Sequence, residues 1–208
     1  MNQIIEVQSV SKSFGGVQAN QDISLSVKEG IITGLIGPNG SGKTTFLKLL
    51  FGMIYPTNGN IVRHFNTKNM EISFVFQEPI FLNRSVEDNL KHLLYCKSIK
   101  KKDWLKIIHH IVSQYSLEHL LKSQIKDLSG GELQLLSLIR SMITKPSILL
   151  YDEPTNNLDD DNIELVTKII KDINNQGLSL IMVSHSSILD NIMKYNQICI
   201  KNGSIIDE

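Results

Sequence analysis

The chain lacks net charge. Its 208 residues carry 21 Lys and Arg against 21 Asp and Glu. A balance of zero gives no overall electrostatic reason to expect nucleic acid or a bare membrane as the main partner, although a local basic patch remains compatible with it. Cysteine is scarce: Cys96 and Cys199 stand far apart with no metal-like spacing, which excludes a disulfide framework and reads as two inert thiols in a reducing compartment. Long hydrophobic runs are missing too. No apolar stretch approaches the ~18 residues needed to span a bilayer. The start, Met1-Asn2-Gln3-Ile4-Ile5-Glu6-Val7, has no basic segment followed by an apolar core, so no signal peptide is expected. There is no internal repeat and no low-complexity tract. What is present is 41% hydrophobic residues, enough for one α/β domain with a real core.

Apolar patterning sets the layout. Residues 3–10 and 23–27 read as strands separated by a Gly15-Gly16 turn, followed by a strand at 31–36 and a helix at 43–52. Pro56-Thr57-Asn58-Gly59-Asn60 reads as a turn, and 72–76 as a short strand. Between 80 and 145 the period changes to helical, with Val86, Leu90, Leu93 and Leu94, then Ile107, Ile108, Ile111 and Val112. Strands return at 148–151 and 178–183 around a helix at about 160–175. Residues 197–201 and 204–206 flank Asn202-Gly203 like a hairpin. The sum is a mainly parallel α/β core interrupted by a helical insert.

The chemistry enters at residues 37–44, Gly37-Pro38-Asn39-Gly40-Ser41-Gly42-Lys43-Thr44. They fit G-x-x-x-x-G-K-[ST] between a strand and a helix, which predicts a phosphate-binding loop for a nucleoside triphosphate. Backbone N–H groups at the helix start would converge on phosphate oxygens. Lys43 would reach the β- and γ-phosphates and Thr44 would ligate Mg²⁺. Downstream, Ile148-Leu149-Leu150-Tyr151 ends in Asp152-Glu153, an apolar strand carrying two carboxylates. Asp152 is expected to hold Mg²⁺ and Glu153 to polarise the attacking water. A third motif, Leu128-Ser129-Gly130-Gly131-Glu132, has a good N-cap in Ser129 and a second anion-compatible helix start.

Together these three motifs make the chain resemble the nucleotide-binding subunit of ABC transporters over nearly its full length. The resemblance implies a P-loop NTPase (RecA-like) core at 1–77 and 146–208, with an N-terminal antiparallel β subdomain and an inserted helical subdomain at about 78–145. It implies a Mg²⁺-dependent ATPase. Phe14 matches the aromatic that stacks on adenine, with Val17 and Ala19 nearby; Asn39, Ser41 and Thr45 belong to the phosphate loop. Gln77 matches the glutamine that contacts Mg²⁺ or water, Asn157-Leu158-Asp159 the segment after the carboxylates, and His185 the histidine at the γ-phosphate. By the same resemblance two copies face head to tail, each ATP lying between one P-loop and Ser129, Gly130 and Gly131 of the other copy. The implied partners are a second ATPase subunit, transmembrane permease subunits and a separate solute-binding protein, at the cytoplasmic face of the cell membrane.

Departures from the family pattern are visible. Leu133 and Leu135 stand in a stretch that is usually polar and basic, although the basic Arg140 is present. Asn156-Asn157 leans toward soluble, translation-linked ABC proteins, which keeps a soluble ATPase as the alternative reading. Residues 78–95, with the pattern Phe-Leu-Asn-x-Ser-Val-x-x-Asn, look like the permease-facing segment of importers of small solutes or oxyanions such as tungstate. Ile80, Phe81 and Leu82 would either dock the permease or pack inside. The chain's compactness, with no fused membrane segment, also favours an importer subunit. His109-His110 has no partner at metal spacing. The lysine cluster at Lys97, Lys100, Lys101, Lys102 and Lys106, with Trp104 inside it, reads as a solvated helical face.

Overall fold

The computed structural model describes residues 2–64, 71–155, 158–184 and 195–206. In chain order the elements are β1 (Gln3–Phe14), β2 (Val17–Lys28), β3 (Ile32–Ile36), α1 (Lys43–Phe51), β4 (Asn58–Arg63) and β5 (Ile72–Val75). Then come α2 (Val86–Cys96), α3 (Trp104–Ser113), α4 (Gly130–Met142), β6 (Ile148–Asp152), α5 (Asp160–Asn175), β7 (Ser179–Val183), β8 (Asn196–Lys201) and β9 (Ser204–Ile206). Three short 3-10 turns link α2, α3 and α4.

One sheet runs β5-β6-β7-β3-β8-β9; all its pairings are parallel except β8 with β9. Its inner strands are buried on both faces, as their continuous apolar sequences require. Alternation sends their side chains into two separate cores. Ile148 and Leu150 of β6, with Ile181 and Val183 of β7, join Phe46, Leu47 and Leu50 of α1 on one side. Leu149, Tyr151, Leu180 and Met182 join α2, α3, α4 and α5 on the other. The helices α2 to α4 lie between β5 and β6, two strands that pair directly. A P-loop α/β fold with an antiparallel sheet and a helical insertion is therefore observed.

The antiparallel sheet, β2-β1-β4, is larger than the apolar pattern shows. β1 lies between two partners, so the ladders carry polar Ser11, Lys12 and Ser13 into a strand that extends to Phe14. The expected turn at 56–60 is corrected: from Asn58 onward the chain is β4, paired to β1. Gly59 there serves close approach rather than a turn. A Cβ on it would come within 2.2 Å of the Ser9 carbonyl oxygen, so only glycine fits beside the irregular register at Gln8–Ser11.

The leucine-rich run after the glycines of α4 also has its reason. Leu135, Leu136, Leu138 and Ile139 are buried in the helical core. A helix covered almost all round reads apolar all round.

Candidate nucleotide-binding site

The C-terminal ends of β3, β6 and β7 open onto one edge of the sheet, where ligands bind in folds of this class. β3 feeds the loop 37–42 and α1 begins at Lys43. Gly42 is the N-cap, with φ 99°, and a Cβ on it would stand 2.1 Å from the Ala19 carbonyl oxygen. The left-handed backbone and the tight contact both demand glycine. Gly37 is similarly pressed, against the Ile200 carbonyl. Neighbouring strands brace the loop: Asn20 Nδ2 donates to the Gly42 carbonyl at 3.2 Å and the Gly203 N–H to the Ser41 carbonyl at 3.1 Å. No side chain caps α1, so its first N–H groups remain available to an anion.

Lys43 is buried and folds back on its own loop, donating to the carbonyls of Gly37 at 2.7 Å and Pro38 at 2.8 Å. Burial pulls its ammonium below the ordinary lysine range, and Glu153 and Asp152 oppose that shift. Both carboxylates are thus within electrostatic reach of the loop lysine. Asp152 is 3% exposed, and Thr44 Oγ1 donates to its Oδ1 at 3.0 Å. Desolvation raises the Asp152 carboxyl; the Thr44 bond lowers it, Glu153 raises it further, and Lys48 and Lys43 lower it. A buried carboxylate beside a threonine hydroxyl is a pair of hard oxygen donors with unmet charge, which fits a magnesium site. Gln77 Nε2 donates to Glu153 Oε2 at 2.9 Å. Glu153 sits at φ 51° with its N–H bonded to the Val183 carbonyl at 3.0 Å. A non-glycine residue held there stores about 1–3 kcal/mol, as residues at functional sites often do.

Direct bonds thereby join Thr44 with Asp152, 108 positions away, and Gln77 with Glu153, 76 positions away, and Lys43 lies in the field of both carboxylates.

The other expected site residues divide into groups. Asn39 and Gly40 are exposed on the loop, Ser41 is buried beneath it, and Thr45 is half-buried on α1. Phe14 and Val17 close the β1–β2 hairpin and are 49% and 70% exposed, with Lys12 Nζ 4.9 Å from the Phe14 ring centroid. An exposed ring that already attracts a cation has a face open for stacking. Ser129 and Gly130 are exposed at the start of α4, while Gly131 is buried against Asn162. Among the described residues, no hydrogen bond joins these three to the chain's own P-loop. Asp159 caps α5 by accepting from the Asn162 N–H at 2.9 Å. His185 and Asn156-Asn157 lie outside the described residues.

Two sets of contacts were not legible in the sequence. Asn20 is an ordinary polar strand residue until the fold places it under Gly42. Arg140 donates to the Ile80 carbonyl at 2.7 Å and lies 4.3 Å from the Phe81 ring centroid, tying α4 to the segment after Gln77. That segment separates the two options for its apolar residues. Phe81 packs against the core, whereas Ile80 and Leu82 are 68% and 40% exposed. Its Ser and Asn have structural work: Ser85 caps α2, and buried Asn89 bonds Leu82 through both its donor and its acceptor.

Residues 20–156 match the family described as ABC transporter. The chain is 35% identical over 183 residues to the lipoprotein-releasing system ATP-binding protein LolD of Buchnera aphidicola, covering 81% of this chain and 80% of that protein. It is 33% identical over 186 residues to the tungstate uptake system ATP-binding protein TupC of Peptoclostridium acidaminophilum, covering 88% and 87%. A solved dimeric ATP-binding cassette in a post-hydrolysis state, bound to ADP and phosphate, superimposes with a TM-score of 0.85 over 98% of this chain and 97% of that one. At 24% identity that last likeness is one of fold.

Proposed function

The chain belongs to the ABC transporter family as an ATP-binding subunit, and from that premise we propose that it powers import of a small solute or oxyanion through a membrane permease. It is a Mg²⁺-dependent ATPase. The observation that carries the site assignment is the pair of bonds Thr44–Asp152 and Gln77–Glu153, which unite three sequence motifs at one sheet edge. Thr44, Asp152 and Gln77 would hold Mg²⁺, which supplies charge neutralisation on the phosphates when bound. Lys43 exchanges the carbonyls of Gly37 and Pro38 for phosphate oxygens, and the uncapped start of α1 donates its N–H groups. Glu153, oriented by Gln77, accepts a proton from the attacking water. Phe14 stacks on the base. His185 belongs to the same γ-phosphate contact by family resemblance.

Ser129, Gly130 and Gly131 serve the nucleotide of a second copy placed head to tail. The exposure of Ser129 and Gly130, and the absence of bonds from all three to their own P-loop among the described residues, supports this arrangement. ATP then closes the dimer and hydrolysis releases it. A groove of about 300 Å³ lined by Phe51, Phe74, Leu82, Leu93 and Arg140 offers an apolar seat for a permease helix. No described helix is long and apolar enough to cross a membrane, so membrane work goes through that partner, with the ATPase peripheral at the cytoplasmic face. Similarity to a tungstate uptake subunit supports import, and a separate solute-binding protein would then select the cargo.

The test is capture of the tagged protein from native membranes in mild detergent, with partners identified by mass spectrometry. A polytopic membrane protein at near-equal stoichiometry, accompanied by a solute-binding protein, is the expected result. A permease without such a protein would overturn import. Ribosomal proteins in place of any permease would overturn the transport role.

A further inference from the structure

The turn between α2 and α3 concentrates charge that the chain as a whole cancels. Five lysines fall between residues 97 and 106, with Asp103 the single acid among them. Lys97 is taken by Glu71 at 2.9 Å. Lys100, Lys101, Lys102 and Lys106 form no ion pair among the described residues and are exposed. The turn is fixed rather than loose. The Asp103 N–H donates to the Lys100 carbonyl at 2.9 Å, and Trp104 Nε1 donates to the Ile99 carbonyl at 2.9 Å while its ring packs on the helical core.

A solvated face would account for the lysines alone. It does not account for the apolar residues interleaved with them: Tyr95, Leu105 and Ile99 are 69%, 52% and 37% exposed. Ammonium groups on flexible stems beside exposed aliphatic and aromatic side chains match an interface that is anionic at its surface and apolar just beneath. RNA is the weaker match. It favours several open aromatic faces for stacking, and here only Tyr95 stands clear while the Trp104 ring is committed inward. The position agrees as well. Cys96 lines both this patch and the groove assigned above to the permease, so the two surfaces are contiguous.

We propose that the 97–106 turn docks on anionic phospholipid headgroups of the bilayer that holds the permease. Lys100, Lys101, Lys102 and Lys106 bind the headgroup phosphates, and Leu105 and Tyr95 enter the interface. The inference rests on the permease reading for its setting, but its chemistry is testable without a permease.

The experiment is sedimentation of the purified full chain with vesicles of phosphatidylcholine alone or doped with phosphatidylglycerol. Binding is expected only to the doped vesicles and is expected to vanish in about 1 M salt, where the screening length is about 3 Å. Combining Lys100→Glu, Lys101→Glu and Lys102→Glu should lower the partition coefficient by about 100-fold or more with ATPase activity in solution unchanged, which shows the variant folded. Leu105→Ser should lower it by a smaller factor without altering the salt dependence. Equal binding to neutral vesicles, no vesicle binding, undiminished binding by the triple variant, or binding to a single-stranded RNA in preference to vesicles would each overturn the proposal. If the permease co-purifies but vesicles are not bound, this proposal alone fails. If vesicles are bound but no permease co-purifies, the permease reading fails.

Discussion

The N-termini of α1 and α4 both follow glycine-containing motifs, yet they are finished in opposite ways. α1 starts after Gly42 with no side-chain cap and no acid in its first turn. α4 starts after Ser129 with a complete capping box. Ser129 Oγ accepts from the Glu132 N–H at 3.2 Å, and the Ser129 N–H and hydroxyl both donate to Glu132 Oε2 at 2.8 Å. Both ends carry the positive pole of a helix. The first has no donor committed to a side chain and stands beside a buried lysine, whereas at the second the Ser129 and Glu132 N–H groups are already taken. The second already holds a carboxylate of its own. An anion can enter the first site directly, whereas at the second it must displace Glu132 to reach the Ser129 hydroxyl. That difference suits one end for holding nucleotide within the chain and the other for engaging it only when a second copy presents it.

The largest effects should break the first site. Lys43→Ala removes its cation and is expected to reduce hydrolysis by at least about 10³-fold, with weaker nucleotide binding, measured by phosphate release and equilibrium binding. Glu153→Gln should lower turnover by roughly 10²–10⁴-fold while nucleotide affinity persists and an ATP-bound dimer accumulates on size exclusion. Rapid turnover by that variant would remove Glu153 from the role of base. Ser129→Arg addresses the second site alone. Binding to the monomer should be intact and hydrolysis blocked; unchanged hydrolysis would reject the head-to-tail arrangement.

Much of this contrast is readable from residue order. Ser129 with Glu132 three positions on spells a capping box, and the G-x-x-x-x-G-K-[ST] spacing needs only a strand before it and a helix after it. The helix expected at 160–175 matches α5, because its apolar stripe and Asp159 cap agree. Features made by distant partners were not readable. β4 looks like a turn until β1 pairs with it, Asn20 has no special neighbours until it meets Gly42, and the positive φ of Glu153 depends on its bond to Val183. Leu135 looked like a departure at the site, and burial in the helical core explains it.

A subtler test concerns stability at the first site. Burial raises the Asp152 carboxyl above its ordinary value, with the Thr44 bond only partly offsetting this. The folded state therefore binds a proton more readily than the unfolded one. The sign of the linkage is that stability falls as pH rises from the ordinary aspartate value through the raised one, and at neutral pH the charged Asp152 destabilises the nucleotide-free protein. Asp152→Asn should raise the melting temperature without nucleotide, erase that acidic slope and abolish Mg²⁺-dependent hydrolysis. A lower melting temperature would mean that the Thr44 bond and the nearby lysines outweigh desolvation.

Glu132 offers the smallest and most discriminating change at the second site. The Ser129 backbone N–H, then its side chain, hold the Glu132 carboxyl below the ordinary glutamate range. Its stabilising effect is therefore present above the ordinary value and is lost as pH falls through the lowered one. Glu132→Gln keeps an acceptor for Ser129 but removes the charge. The melting temperature of the variant should depend less on pH in that acidic window. At neutral pH, ATP-driven dimerisation should strengthen by about 0.3–1 kcal/mol, the usual worth of a charge at a helix end, because the incoming phosphate no longer faces a carboxylate. Analytical ultracentrifugation with ATP and the Glu153→Gln background reads this directly. Weaker dimerisation would mean that Glu132 organises the α4 start for the anion, and the two helix ends would then differ in how they are prepared rather than in how readily they yield.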